Sequence, residues 1–269
     1  MKRYKFTIAY DGTAYCGWQR QPDPTPTVQR EVERAAGSIV SHPVSVLGSS
    51  RTDTGVHAMG QVAACNLETH IDVGRLRKAI NSRLPEDIII RTMEEVPAEF
   101  DVRTAKHKRY RYLIWADQDR PVFQRHYVYH YYRKIDVGLM NQAAQDFVGT
   151  HDFEAFKGKA DERENTVRTM FAASVRRRGP LVVFAVEGSG FLYHMVRTMV
   201  GTLLEIGTGH WKPDVIPGII AGRDRQKAGP CAPAQGLHLQ WISFQERGKP
   251  SDRTCSDPTR TDVRAGDPA

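Results

Sequence analysis

The stretch richest in chemistry is Ser49-Ser50-Arg51-Thr52-Asp53-Thr54-Gly55-Val56-His57-Ala58, a polar loop between two apolar segments. It places the carboxylate of Asp53 two residues after the guanidinium of Arg51 and four before the imidazole of His57, with Gly55 between them. An Asp in a Gly-containing loop ordinarily serves the turn, its oxygens taking nearby backbone N–H groups. A second stretch lifts Asp53 above that role. From Gly190 to Leu204 the chain is apolar at nearly every other position, and Arg197 is its only formally charged residue. A helix that apolar is largely buried, and a buried guanidinium needs an anion or a full set of acceptors. Arg197 therefore either snorkels from a helix edge or meets a carboxylate, for which Asp53 is the attractive candidate. In the second case the adjacent cation favours the ionised acid, which can act as nucleophile or base. Neither role requires a metal.

Asp53-Thr54-Gly55 also spells the aspartic-protease signature. That chemistry needs two such carboxylates sharing a proton, and the sequence holds no second Asp-Thr-Gly or Asp-Ser-Gly. The polar Ser-Ser-Arg-Thr before Asp53 also replaces the apolar strand a protease would use. His57 could orient a phosphate or shuttle a proton, although a single loop histidine more often serves as a hydrogen-bonding group. His151-Asp152, opening His-Asp-Phe-Glu-Ala-Phe, reads as packing after a helix. No Gly-rich loop of Walker or Rossmann type occurs, so no nucleotide cofactor is expected.

The chain has 269 residues, of which 40% are hydrophobic and 26% charged, the balance of a soluble globular protein. Its formal net charge is +7 and its pI about 9.3. The segment from Glu246 onward carries equal numbers of acids and bases, so the whole excess belongs to the part that folds. Basic residues cluster at Lys106-His107-Lys108-Arg109-Tyr110-Arg111, at Arg75-Leu76-Arg77-Lys78 and at Arg176-Arg177-Arg178. A single cluster is ordinarily a solvated face, but three with aromatics among them favour a polyanion, nucleic acid first. The four scattered cysteines include no Cys-x-x-Cys, so free thiols in a reducing compartment are expected rather than disulfides or zinc. With no apolar signal core and no membrane-length apolar run, the cytoplasm is the expected location.

Hydrophobic periodicity supplies the elements that must position these groups. Lys2 to Tyr10 alternates as a strand, and Thr27 caps a helix carrying Val28, Val32, Ala35, Ala36 and Ile39 at helical spacing. Strands at 44–47, 61–67 and 87–93, with a helix at 72–82, complete a β-α-β-β-α-β order, the split βαβ of a ferredoxin-like domain. The second half reads the same way: a strand at 108–115, a helix at 136–147, a hairpin over 167–187, helices at 191–206 and 213–221, and a strand at 238–244. The expected fold is α+β, with two ferredoxin-like halves (1–104, carrying the Asp loop, and 105–245) sharing an antiparallel-rich sheet. Helices cover one of its faces, and the site lies in the cleft between the halves. The polar, aperiodic segment 246–269 is expected to be a disordered tail.

Seven motifs in order carry a resemblance. They are Tyr10-Asp11-Gly12-Thr13 with Gly17-Trp18-Gln19-Arg20-Gln21, Arg51 to Ala58, and Lys108-Arg109-Tyr110-Arg111-Tyr112. Gly149-Thr150-His151-Asp152-Phe153, Val167-Arg168-Thr169, Phe191-Leu192-Tyr193-His194-Met195-Val196-Arg197 and Gly236-Leu237-His238-Leu239 complete the series. Together they resemble the signatures of the tRNA pseudouridine synthase A family across nearly all of the folded chain. The resemblance implies two ferredoxin-like halves and isomerisation of uridine to pseudouridine at positions 38 to 40 of the tRNA anticodon stem-loop. It also implies action without metal or organic cofactor, as a homodimer whose two subunits both contact the tRNA. By motif position Asp53 would be the catalytic aspartate, Tyr110 the tyrosine packing on the target base, Arg197 the aspartate's basic partner, and Arg51 a residue near the flipped nucleotide. Ser50 stands where many members have Gly, and Thr54 where Ala or Lys is common.

The chemistry suits these residues. The target nucleotide must leave the stem, at a cost of a few kcal/mol that phosphate contacts to a basic surface offset. Tyr110 stacked on the freed base would contribute about 1–3 kcal/mol. Asp53 would attack the sugar or ring, or take a sugar proton to leave a glycal. Tyr110 could accept the C5 proton only if its pKa fell well below its usual ~10. The rival from another class is a non-catalytic RNA-binding protein on the same scaffold, for which an anion facing phosphates would have no use.

Overall fold

The computed structural model describes residues 1–246. In chain order its first half comprises β1 (Lys2–Tyr10), α1 (Val28–Val40), β2 (Val46–Gly48), β3 (His57–Leu67), α2 (Val73–Asn81) and β4 (Ile88–Val96). The second comprises β5 (His107–Trp115), β6 (Tyr129–His130), α3 (Val137–Ala144), β7 (Gly149–Asp152), β8 (Val167–Arg178), β9 (Leu181–Gly188), α4 (Met195–Gly207), α5 (Val215–Gly222) and β10 (Leu237–Ser243). The expectation for 246–269 lies outside the described residues, apart from Glu246.

Local chemistry accounts for the element ends. Thr27 caps α1 with its hydroxyl on the Arg30 N–H, as its position predicts, and Asp72 and Asp136 cap α2 and α3 with their carboxylates. In β1 the alternating Tyr4, Phe6, Ile8 and Tyr10 are buried and the residues between them half-exposed, so one face of this strand enters the core. β3 is buried along nearly its whole length, which fits an interior strand covered on both sides.

All ten strands join one sheet in the order β4-β1-β3-β10-β5-β9-β8-β7, with β2 also on β3 and β6 also on β5. Nearly all pairings are antiparallel; β3 with β10 and β5 with β6 are parallel. The junction depends on strand length. β3 has eleven residues and β2 only three, and β2 covers one edge of β3 only at Ala63–Cys65. The start of that edge, His57 and Ala58, is left to pair with His238 and Leu239 of β10. The connection from β2 to β3, which is the Asp loop, therefore emerges where the two halves of the sheet meet.

One expectation is corrected. The helix expected from Phe191 begins only at Met195, because His194 takes a left-handed conformation (φ 61°, ψ 0°) that cannot continue a right-handed helix. The strands β6 and β7 are too short to show periodicity. His151-Asp152 lies in β7, pairing with Arg168 and Val167 of β8, and Phe153 and Phe156 just after it are fully buried, in keeping with its reading as packing after a helix.

Candidate active site

The Asp loop lies on a bed formed by the chain's first motif. Trp18 donates its backbone N–H to the Thr52 carbonyl (3.1 Å), and the Tyr10 and Thr52 hydroxyls share a 2.7 Å hydrogen bond. From the side, the fully buried Gln61 grips Ser50 twice, donating Nε2 to its carbonyl (2.6 Å) and accepting its N–H (3.2 Å). Gly55 takes φ 75°, and the Val56 N–H donates to the Asp53 carbonyl at 3.1 Å, so the turn expected at this glycine is present. The loop is thus fixed by backbone and buried amide contacts that leave the Asp53 side chain out of the turn.

Asp53 meets Arg197. Arg197, in the first turn of α4, donates Nη1 to Asp53 Oδ2 at 3.2 Å and Nε to the Ala232 carbonyl at 2.7 Å. Both side chains are mostly enclosed, 15% exposed for Arg197 and 18% for Asp53, so water screens the pair less than a surface pair. The snorkelling alternative for Arg197 is therefore not realised. His194 Nε2 approaches the same Oδ2 at 3.5 Å. Sequence reasoning missed His194 as a site residue. The available signal was its position three residues before Arg197, a spacing that puts two side chains on one side of a helical start.

Tyr110, on β5, is 6% exposed and shares a 3.0 Å hydrogen bond between its hydroxyl and Ser50 Oγ. Phe191 meets its ring edge-on, with centroids 5.1 Å apart. Burial pushes the phenol up to about 12; the Ser50 hydrogen bond opposes this and the Asp53 charge adds to it. The condition for Tyr110 to act as a base, a lowered pKa, is thus reversed, mainly by burial. Ser50 also acquires a contact that its small size did not suggest.

These groups share a cleft of about 1080 Å³, lined by the Asp loop, Lys108, Tyr110 and the segment from Phe191 to Val196. Arg51 is exposed on its wall and makes no hydrogen bond or ion pair among the described residues. Of the three basic clusters only the first reaches the cleft, through Lys108, whose Nζ donates to the Ser49 carbonyl at 2.5 Å. Burial, with a contribution from Arg163, lowers the Lys108 ammonium to about 8. Arg163 is itself tied to Asp161, and Asp161 Oδ2 accepts the Tyr193 N–H at 2.7 Å.

His57 does not join them. It is 3% exposed and lies outside the lining of the cleft. Its Nδ1 meets the Gly12 N–H at 3.0 Å and Asp11 Oδ1 at 3.1 Å, and its Nε2 faces the His126 carbonyl at 3.0 Å. Its ring stacks on His238 at 4.7 Å. Burial lowers its pKa against the pull of Asp11. A substrate-binding role for His57 is therefore corrected to a structural one: strand alternation turns its side chain away from the face that carries Tyr110.

An enclosed carboxylate held by an arginine, beside a buried tyrosine in a cleft with basic walls, defines a carboxylate-centred site suited to a polyanionic substrate. A family model described as tRNA pseudouridine synthase matches residues 7–104 and 143–245. A tRNA pseudouridine synthase A of Acetivibrio thermocellus is 45% identical over 245 residues, spanning 91% of this chain and 100% of the relative. One from Geobacillus kaustophilus is 42% identical over 247 residues, spanning 91% and 95%. The chain belongs to the tRNA pseudouridine synthase A family. Among the described residues no cluster of His, Cys, Asp and Glu has the makings of a metal site, and no helix is long and apolar enough to cross a membrane.

Proposed function

We propose that this protein isomerises uridine to pseudouridine in tRNA, at positions 38, 39 and 40 of the anticodon stem-loop, with Asp53 as the reacting group. The observation that carries the reading is the Asp53 carboxylate, held by Arg197 across the junction of the sheet in a cleft roomy enough for a whole nucleotide. Arg51, which lines the cleft and is exposed, would meet the phosphate or the gap left by the flipped nucleotide. The Tyr110 ring offers the flipped uracil a stacking surface.

The reaction needs no net proton and no external atom. The C1′–N1 bond breaks with its electron pair leaving on the uracil, while Asp53 either bonds to C1′ or removes the C2′ proton to leave a glycal. The uracil turns and C5 bonds to C1′, while the Asp53–C1′ bond breaks with its electron pair returning to the carboxylate or, on the glycal route, Asp53 returns the proton to C2′; the C5 proton then leaves and N1 gains one. Both routes ask the same of Asp53: an ionised oxygen facing the sugar. If Asp53 becomes esterified its charge vanishes, and with it the Coulombic part of what holds the Tyr110 phenol protonated. Burial, the larger cause, persists at that stage and still raises the phenol.

The reading extends to the architecture. We assign residues 1–104 and 105–245 to two ferredoxin-like halves, supported by the strand orders β4-β1-β3-β2 and β10-β5-β9-β8, which repeat one pattern. The protein acts in the cytoplasm as a homodimer, its tRNA touching both subunits.

The test combines cells and a variant. tRNA from cells lacking this protein should lose pseudouridine at these positions and regain it on complementation. Asp53→Asn should fail to restore it while tRNA affinity falls less than about tenfold, the loss of roughly one polar contact. Persistent activity in that variant would sink the mechanism, and a matching loss of binding would favour a plain RNA-binding role.

A further inference from the structure

Asp53 presents its two oxygens unequally. Oδ2 is approached by Arg197 Nη1 (3.2 Å) and His194 Nε2 (3.5 Å), whereas Oδ1 accepts no hydrogen bond among the described residues. His194 is held where it is by unusual means. It is one of three non-glycine residues with positive φ among those described, a strained conformation that persists only where the surroundings impose it. Those surroundings are visible. The Thr198 N–H bonds the His194 carbonyl at 2.9 Å, starting α4, and the Tyr193 ring stacks on the imidazole at 3.7 Å. Tyr193 is strapped in turn, its N–H to Asp161 Oδ2 (2.7 Å) and its carbonyl to the Gly158 N–H (2.8 Å). Gly158 lies so close that a Cβ there would come within 2.7 Å of the Tyr193 ring and 3.2 Å of His194. Only a residue without a side chain lets this strap close.

We propose that His194 is a positioning residue for the isomerisation. It donates from Nε2 to Asp53 Oδ2, and together with Arg197 fixes the carboxylate so that Oδ1 is the oxygen that meets the sugar. This rests on the uridine-isomerising reading of the site. Burial lowers the imidazole's pKa, with Arg197 and Arg225 acting in the same direction against Asp53, so the ring is a neutral donor rather than a second cation. The 3.5 Å separation is long for a hydrogen bond; catalytic contacts of this kind tighten when substrate fills the site. On the ester route, His194 and Arg197 also favour expulsion of Asp53. As C5 bonds to C1′, the Oδ1–C1′ bond breaks with its electron pair returning to the carboxylate, whose charge the two donors receive.

The test uses the full-length protein with tRNA transcript. His194→Gly keeps the left-handed backbone without strain and removes only the imidazole, while His194→Gln restores an N–H donor of similar reach. In the glycine variant kcat should fall at least twentyfold, with KM for tRNA within twofold and the protein still folding cooperatively. The glutamine variant should recover to within about fivefold of the parent, and millimolar imidazole should partly rescue the glycine variant. Turnover of the glycine variant within threefold of the parent would overturn the proposal. So would a loss that neither glutamine nor imidazole recovers, or one that appears in KM rather than kcat. Failure of the parent protein to form pseudouridine in the same assay would instead strike the functional reading.

Discussion

Replacing Arg197 by Met tests the centre of the site. Met matches the length of the arginine stem and packs in an apolar helix, so α4 should survive. Two contacts disappear: the 3.2 Å charge-assisted bond to Asp53 and the 2.7 Å bond to the Ala232 carbonyl. A hydrogen bond to a charged group is worth about 1.5–3 kcal/mol, and leaving a buried carbonyl unpaired costs about 1–3 kcal/mol. Both Asp53 and Arg197 keep some exposure, so water takes up part of each loss. The variant should be about 2–4 kcal/mol less stable, a little under the roughly 3–5 kcal/mol for breaking a fully buried pair. The effect on rate comes from orientation. Freed of Arg197, the carboxylate can rotate, and the 1.5–3 kcal/mol that held it corresponds to roughly a 10–150-fold loss of turnover. Arg197→Lys retains the charge but lacks the fork that reaches both partners, so it should recover stability better than rate. Denaturant melts give the first quantity and single-turnover pseudouridine formation on tRNA the second. Turnover within threefold of the parent in Arg197→Met would refute the positioning role of this pair.

Further outcomes follow from the same geometry. Tyr110→Phe keeps the stacking ring and removes the hydroxyl; if the phenol takes the C5 proton, single-turnover rates should fall at least a hundredfold with little change in tRNA affinity. A loss under tenfold would confine Tyr110 to stacking. Lys108→Met should raise stability near neutral pH. The folded pKa of about 8 lies below the unfolded ~10.4, so the buried ammonium costs stability below pH 8 and the cost fades as pH rises through that interval. The gain, up to roughly 3 kcal/mol by pKa linkage, is reduced by the lost bond to Ser49 and by residual exposure; a parent-like melting curve at pH 7 would count against it. The stacked pair His57–His238 should make the fold acid-sensitive. Burial lowers His238 to about 4 and His57 below its usual value, so the unfolded chain binds more protons from about pH 6.5 downward. Stability should decline between those limits, and His238→Gln should flatten the slope of melting temperature against pH.

Much of the site was legible because its chemistry was local. The Asp53-Thr54-Gly55 spacing announces a turn that displays a carboxylate, and Gly55 does reverse the chain. A lone arginine in an apolar helix announces a need for an anion. Strand and helix limits followed from periodicity wherever an element ran long enough, as in β1 and α1. The ordered motifs added the family, which the matched relatives bear out. What periodicity could not carry were elements of two to four residues, such as β6 and β7, and the single left-handed residue that delays α4.

The sequence by itself determined which groups could react and which contact one of them required: Asp53 and Arg197 were named from residue types and spacing, and Tyr110 from the ordered motifs that carry the family resemblance. Their meeting belongs to the tertiary structure. Asp53 and Arg197 lie 144 residues apart, and they come together because a short β2 leaves the start of β3 free to pair with β10. The same packing decided two matters that no spacing reveals. It buried His57 on the wrong face, since alternate residues of a strand point to opposite sides, and it turned His194 onto Asp53 through a backbone conformation that only its neighbours enforce. Residue identity is written locally, but burial and direction are properties of the whole sheet.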